Sequence, residues 1–465
     1  MTSRTHAGQG PLTAARISLI AAVAAGFGVA VSPATALGIA PAYPQDRQTT
    51  AFVGVTVVPM DTERVIPGQV VVVKGNRITA VGPESEVGMP DGALRIDGEG
   101  KFLMPGLAEM HGHTPGGNVT DEFRRQVMFL YAANGVTTVR GMLGLPGDQE
   151  LQRQTNTGQI WGPTLYLAGP SFNGGTVTSP AQGAERVWEQ KAGGWNHLKI
   201  HPGLTLAEYE AIATAASQAG MRFAGHVPAE VGLERAILLG QETFDHLDGY
   251  LHDAGGLDGG PVDQARVAEL AALTRAANAW VVPTMVLWEV GVIGLGDPDA
   301  LSTLPEMRYW PHRGVEGWAN RLRAIQSNPG WDVERARLHA SNRTWLLGAL
   351  NEAGVGILMG TDSPQMFSVP GFSLHREMAA MADAGMSPFE ILASGTRSVG
   401  DYFQRYDTFG TVAPGRRADL ILTNSNPLDD IANVADRAGV MVRGAWKSEA
   451  EIQAGLAEIA SSFRP

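Results

Sequence analysis

The apolar positions change their period along the chain, and each change marks a different kind of element. Phe52–Val58 and Gly68–Lys74 are short, Val-rich runs. Gly75-Asn76 turns the second of them into Arg77–Val81, which predicts a hairpin inside a small β-module. From Gly106 the texture becomes apolar strands alternating with helical stretches. The predicted strands are Gly106–His111, Gly135–Arg140, Thr164–Ala168, His197–His201, Arg222–Val227, Thr243–Leu247, Trp280–Val286 and Gly356–Gly360. Helical spacing in Leu206–Ala219 and Val333–Glu352 lies between some of them. Eight β/α units predict an α/β fold, a (β/α)8 TIM-like barrel, with its active site at the C-terminal ends of the strands. An open doubly wound sheet is the runner-up, but no Gly-rich phosphate fingerprint follows an early strand.

Helical stretches Leu374–Ala384 and Ser387–Ser394 come next, and β character returns at Ala418–Thr423 and Gly439–Arg443. These late strands are expected to complete the early ones, giving a small β-sandwich domain built from both ends of the chain. The boundaries read as 51–103 and 401–447 for that domain, 104–400 for the barrel and 448–465 for a polar C-terminal helix. Ahead of them, Arg4 and Arg16 precede an uncharged apolar run, Ile17–Val31, and Ala34-Thr-Ala36 offers a cleavage site. That run is shorter than the ~20 residues that span a bilayer, so residues 1–36 read as a signal peptide cleaved near Ala36. Residues 37–50 read as a linker. The mature protein is then periplasmic or secreted, and an uncleaved anchor fits less well.

Composition narrows the functions. The 465 residues are 44% hydrophobic, enough for a large enzyme core. A net charge of −12, without any Lys/Arg-rich block, argues against nucleic acid as a partner and, once the signal is removed, against a membrane surface. A small-molecule substrate is the expected partner, and a homo-oligomer is compatible with the chain. Cysteine is absent, which rules out disulfides and restricts any metal site to nitrogen and oxygen ligands.

Candidate chemistry sits where the predicted strands end. In His111-Gly-His113 the two imidazoles are two residues apart, so on an extended backbone they share a face. Other strand ends carry His197-Leu-Lys199-Ile-His201, His226, His246 and Asp362. Each has an ordinary alternative: a core histidine, a snorkelling lysine, a helix cap. Together they place a ligand-type residue on five of eight strands, which coincidence explains poorly.

The chain resembles the amidohydrolase superfamily. The resemblance is carried by Met104-Pro-Gly-Leu-Ala-Glu-Met-His-Gly-His113, Gly135-Val-Thr-Thr-Val-Arg140, Leu198-Lys-Ile200 with Gly203-Leu-Thr205, Ala224-Gly-His-Val227, Phe244-Asp-His-Leu247, Gly360-Thr-Asp362 and Gly415-Arg-Arg-Ala-Asp-Leu420. Within that superfamily it is most similar to exported dipeptidase-like and imidazolonepropionase-related hydrolases. The resemblance implies two divalent metal ions, zinc or alternatively Mn, Co or Fe. His111, His113 and Asp362 would hold one and His226 and His246 the other, with Lys199 carboxylated to bridge them. His197 and His201 share the face of Lys199, but a bridge needs two oxygens and the family pattern favours the lysine. Glu109 stands where the family usually has Asp, and its position below His111 suits a supporting role.

The implied reaction is hydrolysis of an amide or peptide-like C–N bond, as in a dipeptide or N-acyl amino acid. Asp362 would move the proton from the attacking water to the leaving group. Tyr250, Trp288, His375 and Arg376 are the candidate substrate contacts, with Tyr250 and Arg376 suited to a carboxylate. The Tyr309–Trp318 stretch reads equally as a contact surface or as packing. The alternatives are a lactone, ester or phosphotriester hydrolase on the same dimetal site, a mononuclear deaminase, or a binding protein without activity.

Overall fold

The computed structural model describes residues 48–115 and 119–463; the expected signal peptide and most of the linker lie outside them. In chain order the strands are β1 (Thr50–Val57), β2 (Ile66–Lys74), β3 (Arg77–Pro83), β4 (Leu94–Asp97), β5 (Phe102–Pro105), β6 (Leu107–Gly112), β7 (Val136–Gly141), β8 (Thr164–Leu167), β9 (His197–Ile200), β10 (Arg222–Gly225), β11 (Thr243–Asp245), β12 (Trp280–Val282), β13 (Gly356–Ile357), β14 (Leu420–Thr423), β15 (Arg437–Val442) and β16 (Ala445–Ser448).

The two ends of the chain do share a sheet, in the order β16-β15-β14-β5-β1-β2-β3, with β4 also on β1. β5 is the link: it runs antiparallel to β14 through Leu103–Leu422 and parallel to β1 through Leu103–Val57. Hydrogen bonds therefore join all eight strands into one mixed sheet, which folds back on itself so that Phe52 of β1 meets Trp446 of β16 at 5.3 Å. Only Gly106 separates β5 from β6, so the sheet feeds directly into the strand that carries His111.

All eight strands predicted for the larger domain are present, and their pairings are parallel. They form sheets β6-β7-β8 and β9-β10-β11-β12-β13. Backbone bonds link the two sheets at both edges. Parallel bridges Ala168–His197 and Phe172–Ile200 join β8 to β9, while Met110 N–H donates to Met359 O and Asp362 N–H to His111 O across β6 and β13. The strand predicted over Trp280–Val286 stops at Val282. Pro283 cannot donate to a ladder, and Thr284 turns left-handed (φ 46°) into a helical turn at Met285–Leu287.

Local chemistry sets the helix limits. Leu206–Ala219 starts at a Thr205/Glu208 capping box and stops at Gly220, whose positive φ (62°) suits glycine. Glu449–Ser462 starts at a Ser448/Glu451 box, and it is amphipathic where a polar helix was expected. Its Ile452, Leu456 and Ile459 stripe is buried with Leu130, Val440 and Val442. The segment between β12 and the helix Val333–Glu352 packs into the same cluster. Trp310 stacks on Trp318 at 5.5 Å and Tyr309 on Phe372 at 5.0 Å, so the Tyr309–Trp318 aromatics are packing residues. A cleft of about 950 Å³ beside Trp310, Arg323 and Phe463 contains none of the strand-end histidines. Among the described residues no helix is long and apolar enough to cross a membrane.

Buried guanidiniums fasten the small sheet to the parallel strands. Arg417 donates to Thr138 of β7, and Arg443 to Thr164 of β8 and to the Thr155 and Gly162 carbonyls. Arg443→Ala takes the guanidinium from the Gly162 carbonyl, whereas Thr155 O keeps the Gly158 N–H, and an unsatisfied buried acceptor costs roughly 1–3 kcal/mol. The expected outcome is a loss of about 1–3 kcal/mol in unfolding free energy by urea titration; an unchanged midpoint would show that the attachment is carried elsewhere.

Candidate functional site

The parallel strands bring the expected residues to one place. His111 lies in β6 and His113 just beyond it, Lys199 in β9, His226 and His246 immediately after β10 and β11, and Asp362 in the turn after β13. Asp362 Oδ1 is 2.6 Å from His113 Nε2 and 3.7 Å from His111 Nε2, and its Oδ2 is 3.8 Å from His246 Nε2. Lys199 Nζ is 3.2 Å from His111 Nε2. The rings of His111 and His246 are 4.5 Å apart, and those of His226 and His246 4.4 Å. His111, His113 and Asp362 each offer one ligand atom within 4.8 Å of the others, a set that could hold a metal ion.

Partners behind the cluster set which ring nitrogen faces it. His226 Nδ1 is 2.7 Å from Asp248 and His246 Nδ1 is 2.7 Å from Thr284 Oγ1. His111 Nδ1 lies 2.8 Å from Asp245, an oblique approach without a straight hydrogen bond. With Nδ1 turned to these oxygens, Nε2 is left for the cluster, the arrangement a metal-binding histidine needs. Burial first, then cationic neighbours, holds His111 and His246 well below the ordinary histidine range, so both rings are neutral. Burial also brings Lys199 down to about 8, against the pull of Asp245 and Asp362.

Several supporting residues went unassigned in the sequence. Asp245 is fully buried and touches His111, Arg140 at 3.2 Å and Lys199 at 3.9 Å. Burial opposes its charge, yet Arg140 and Lys199 keep its carboxyl below the usual range. A charged residue inside a predicted buried strand was the available signal. Asp248 and Thr284 gave none, since both sit in turns that only the fold brings back to the rings. Glu109 has the supporting position expected of it. It accepts from His111 N–H (3.0 Å), Thr361 N–H (2.8 Å) and Thr361 Oγ1 (2.6 Å), and burial raises its carboxyl to about 8.

The remaining strand and loop candidates separate. His197 is buried with Nε2 3.3 Å from Met142 Sδ, whereas His201 stacks on His226 at 5.0 Å. Burial lowers His201 to about 2, so it too is neutral. Trp288 lies 6.1 Å from the His246 ring and borders the site. Tyr250 does not line the rim: it is fully buried and its hydroxyl is taken by Thr274 at 2.6 Å. Arg376 is already engaged by the Phe367 carbonyl and by Glu306 at 3.6 Å, which leaves it unsuited to a substrate carboxylate. His375 is held near 4 by burial and by the charge of Arg437 on β15.

The amidohydrolase family matches residues 102–447. An imidazolonepropionase from Streptomyces coelicolor is 27% identical over 81% of this chain and 90% of its own length. Adenine deaminase 3 from Rhizobium meliloti is 22% identical over 77% of this chain, which spans only 52% of that protein. Among solved structures, a Xaa-Pro dipeptidase with bound methionine in its active site aligns with a TM-score of 0.65 and 19% identity, covering 86% of this chain and all of that one. The family match extends from β5 to β16 and contains every residue of the cluster, and the chain therefore belongs to the amidohydrolase family, as a hydrolase acting on carbon–nitrogen bonds.

Proposed function

We propose that the protein hydrolyses an amide or peptide-like bond in a small substrate such as a dipeptide or N-acyl amino acid, at a pair of divalent cations. The observation that carries this reading is the convergence of His111, His113, His226, His246, Lys199 and Asp362, with partners holding the Nδ1 atoms of three rings away from the centre. The donor set fits the group: neutral imidazoles and a carboxylate suit zinc, and Mn, Co or Fe are compatible. His111, His113 and Asp362 would hold one ion and His226 and His246 the other. Lys199, carboxylated on its buried amine, would bridge them. When bound, such cations lower the pKa of water and polarise a carbonyl.

The protein's own groups complete the chemistry. Asp362 has one oxygen on His113 and the other facing His246, so it is placed to take the proton of the attacking water and return it to the leaving nitrogen. Trp288 offers an apolar wall beside His246, and His201 a neutral polar edge beside His226. The reading includes a closed eight-stranded barrel, supported by the backbone bonds at both sheet edges. It also includes export to the periplasm or medium after cleavage near Ala36. The imidazolonepropionase and dipeptidase relatives support C–N chemistry. The adenine deaminase likeness favours a second reading, a mononuclear deaminase with unmodified Lys199, in which one metal per chain and released ammonia would be found.

Screening a dipeptide and N-acyl amino acid library on protein reconstituted with zinc and bicarbonate tests the reaction class. In that assay Asp362→Asn is expected to fold and to lower kcat by about 10²–10⁴-fold, the usual scale for a lost proton-transfer group; near-normal turnover would remove Asp362 from that role. Asp245 and Asp248 should separate. Asp245→Ala strands the buried Arg140 charge and is expected to lower stability by about 3–5 kcal/mol. Asp248→Ala removes a side chain that is 15% exposed and bonded to His226 rather than to a buried guanidinium, so it should cost less stability than Asp245→Ala while zinc affinity falls about 10–100-fold. Calorimetry alongside metal titration would expose the opposite pattern.

A further inference from the structure

Two buried ionic side chains, Arg343 and Glu377, touch none of the cluster nitrogens, yet both grip the backbone that presents His246. Arg343 is on the helix Val333–Glu352 and Glu377 on Phe372–Asp383. Arg343 donates to the carbonyl of His246 at 2.8 Å and to that of Pro283 at 3.1 Å. Glu377 accepts the N–H groups of Met285 at 2.8 Å and Val286 at 3.1 Å. The four backbone groups flank two left-handed residues, His246 (φ 64°) and Thr284 (φ 46°). Thr284 is β-branched, and that conformation is strained for it. Something must hold it there, and what the strain achieves is visible: the Thr284 hydroxyl comes 2.7 Å from His246 Nδ1.

We propose that Arg343 and Glu377 are positioning residues that clamp Thr284 in its left-handed conformation, so that its hydroxyl fixes the orientation and tautomer of His246. The clamp acts on one half of the site only. His113 and Asp362 meet each other directly, and Asp248 serves His226, whereas His246 depends on a hydroxyl whose placement is imposed from two outer helices. With Nδ1–H donated to Thr284, Nε2 keeps its lone pair for a cation. If Thr284 relaxed, the ring would be free to flip or change tautomer, and the His226/His246 position would weaken first. This inference rests on the two-cation reading, and its test is arranged so that the two can fail separately.

Strain relief and alignment make opposite predictions at Thr284. Thr284→Gly removes both the strain and the hydroxyl; Thr284→Ser restores the hydroxyl. Metal-free Thr284→Gly is expected to melt no lower than wild type, because glycine accepts the positive φ. It should nevertheless bind the second zinc about 10–100-fold more weakly, with Thr284→Ser close to wild type. Glu377→Gln should lower both the melting temperature and the second zinc affinity, since its amide N–H₂ opposes one of the two backbone N–H groups. The decisive readout is the ¹⁵N spectrum of histidine-labelled, metal-free protein. Wild type should show His246 as a single Nδ1–H tautomer, and Thr284→Gly and Glu377→Gln a mixture. A single Nδ1–H tautomer in those variants, or unweakened binding of the second ion, overturns the clamp. One zinc per wild-type chain, with the tautomer result as expected, overturns the two-cation reading and leaves the clamp standing.

Discussion

The site depends on one carboxylate that water never reaches. Asp245 is fully buried and lies against His111, Arg140 and Lys199, with Thr243 Oγ1 at 2.6 Å. A buried anion persists only when paired and hydrogen-bonded. Here the pairing comes from three strands at once, because Arg140 is on β7, His111 on β6 and Lys199 on β9. The same charge that makes burying Arg140 tolerable also turns Nδ1 of His111 away from the centre. Core electrostatics and site geometry are therefore one arrangement.

Around that charge the strand ends are held in conformations that ordinary side chains avoid. His246, Leu247, Thr284 and Asp362 all have positive φ. Strain of this kind persists where the surroundings over-determine it. The surroundings are visible here: Arg343 and Glu377 on the backbone near His246 and Thr284, and the Asp362 N–H bonded to His111 O. Packing and hydrogen bonds accumulated through the two outer helices thus keep polar groups converging that would separate if each backbone relaxed alone.

Much of this is legible in the sequence. The eight parallel strands followed from apolar runs and five of the six clustered residues from their places at strand ends, while Lys199 was favoured over His197 and His201 by the family resemblance. The errors share a cause. Tyr250 and Arg376 were assigned to the rim because they follow site strands in sequence. A side chain's direction after a turn is decided by what it meets, and these met Thr274 and Glu306. The two ends of the chain share one sheet because β5 pairs on both edges, a choice local periodicity does not encode. The C-terminal helix was read as polar because its apolar stripe is narrow, though Ile452, Leu456 and Ile459 align once the helix is built.

By itself the sequence determined the period of each element, the strand-end positions of His111, His113, Lys199, His226, His246 and Asp362, and the exclusion of thiolate ligands. These are properties of residue type and spacing, with Lys199 favoured over His197 and His201 by the family resemblance, because a strand alternates its side chains and neighbouring parallel strands present their C-terminal ends together. Tertiary structure alone decided which nitrogen of each ring faces inward, since Asp245, Asp248 and Thr284 reach the rings from other segments. It alone showed that Arg343 and Glu377, 60 to 97 residues from the segments they hold, set the backbone behind His246. Hydrogen bonds between distant segments have no signature in spacing, because their geometry exists only after the chain has closed around them.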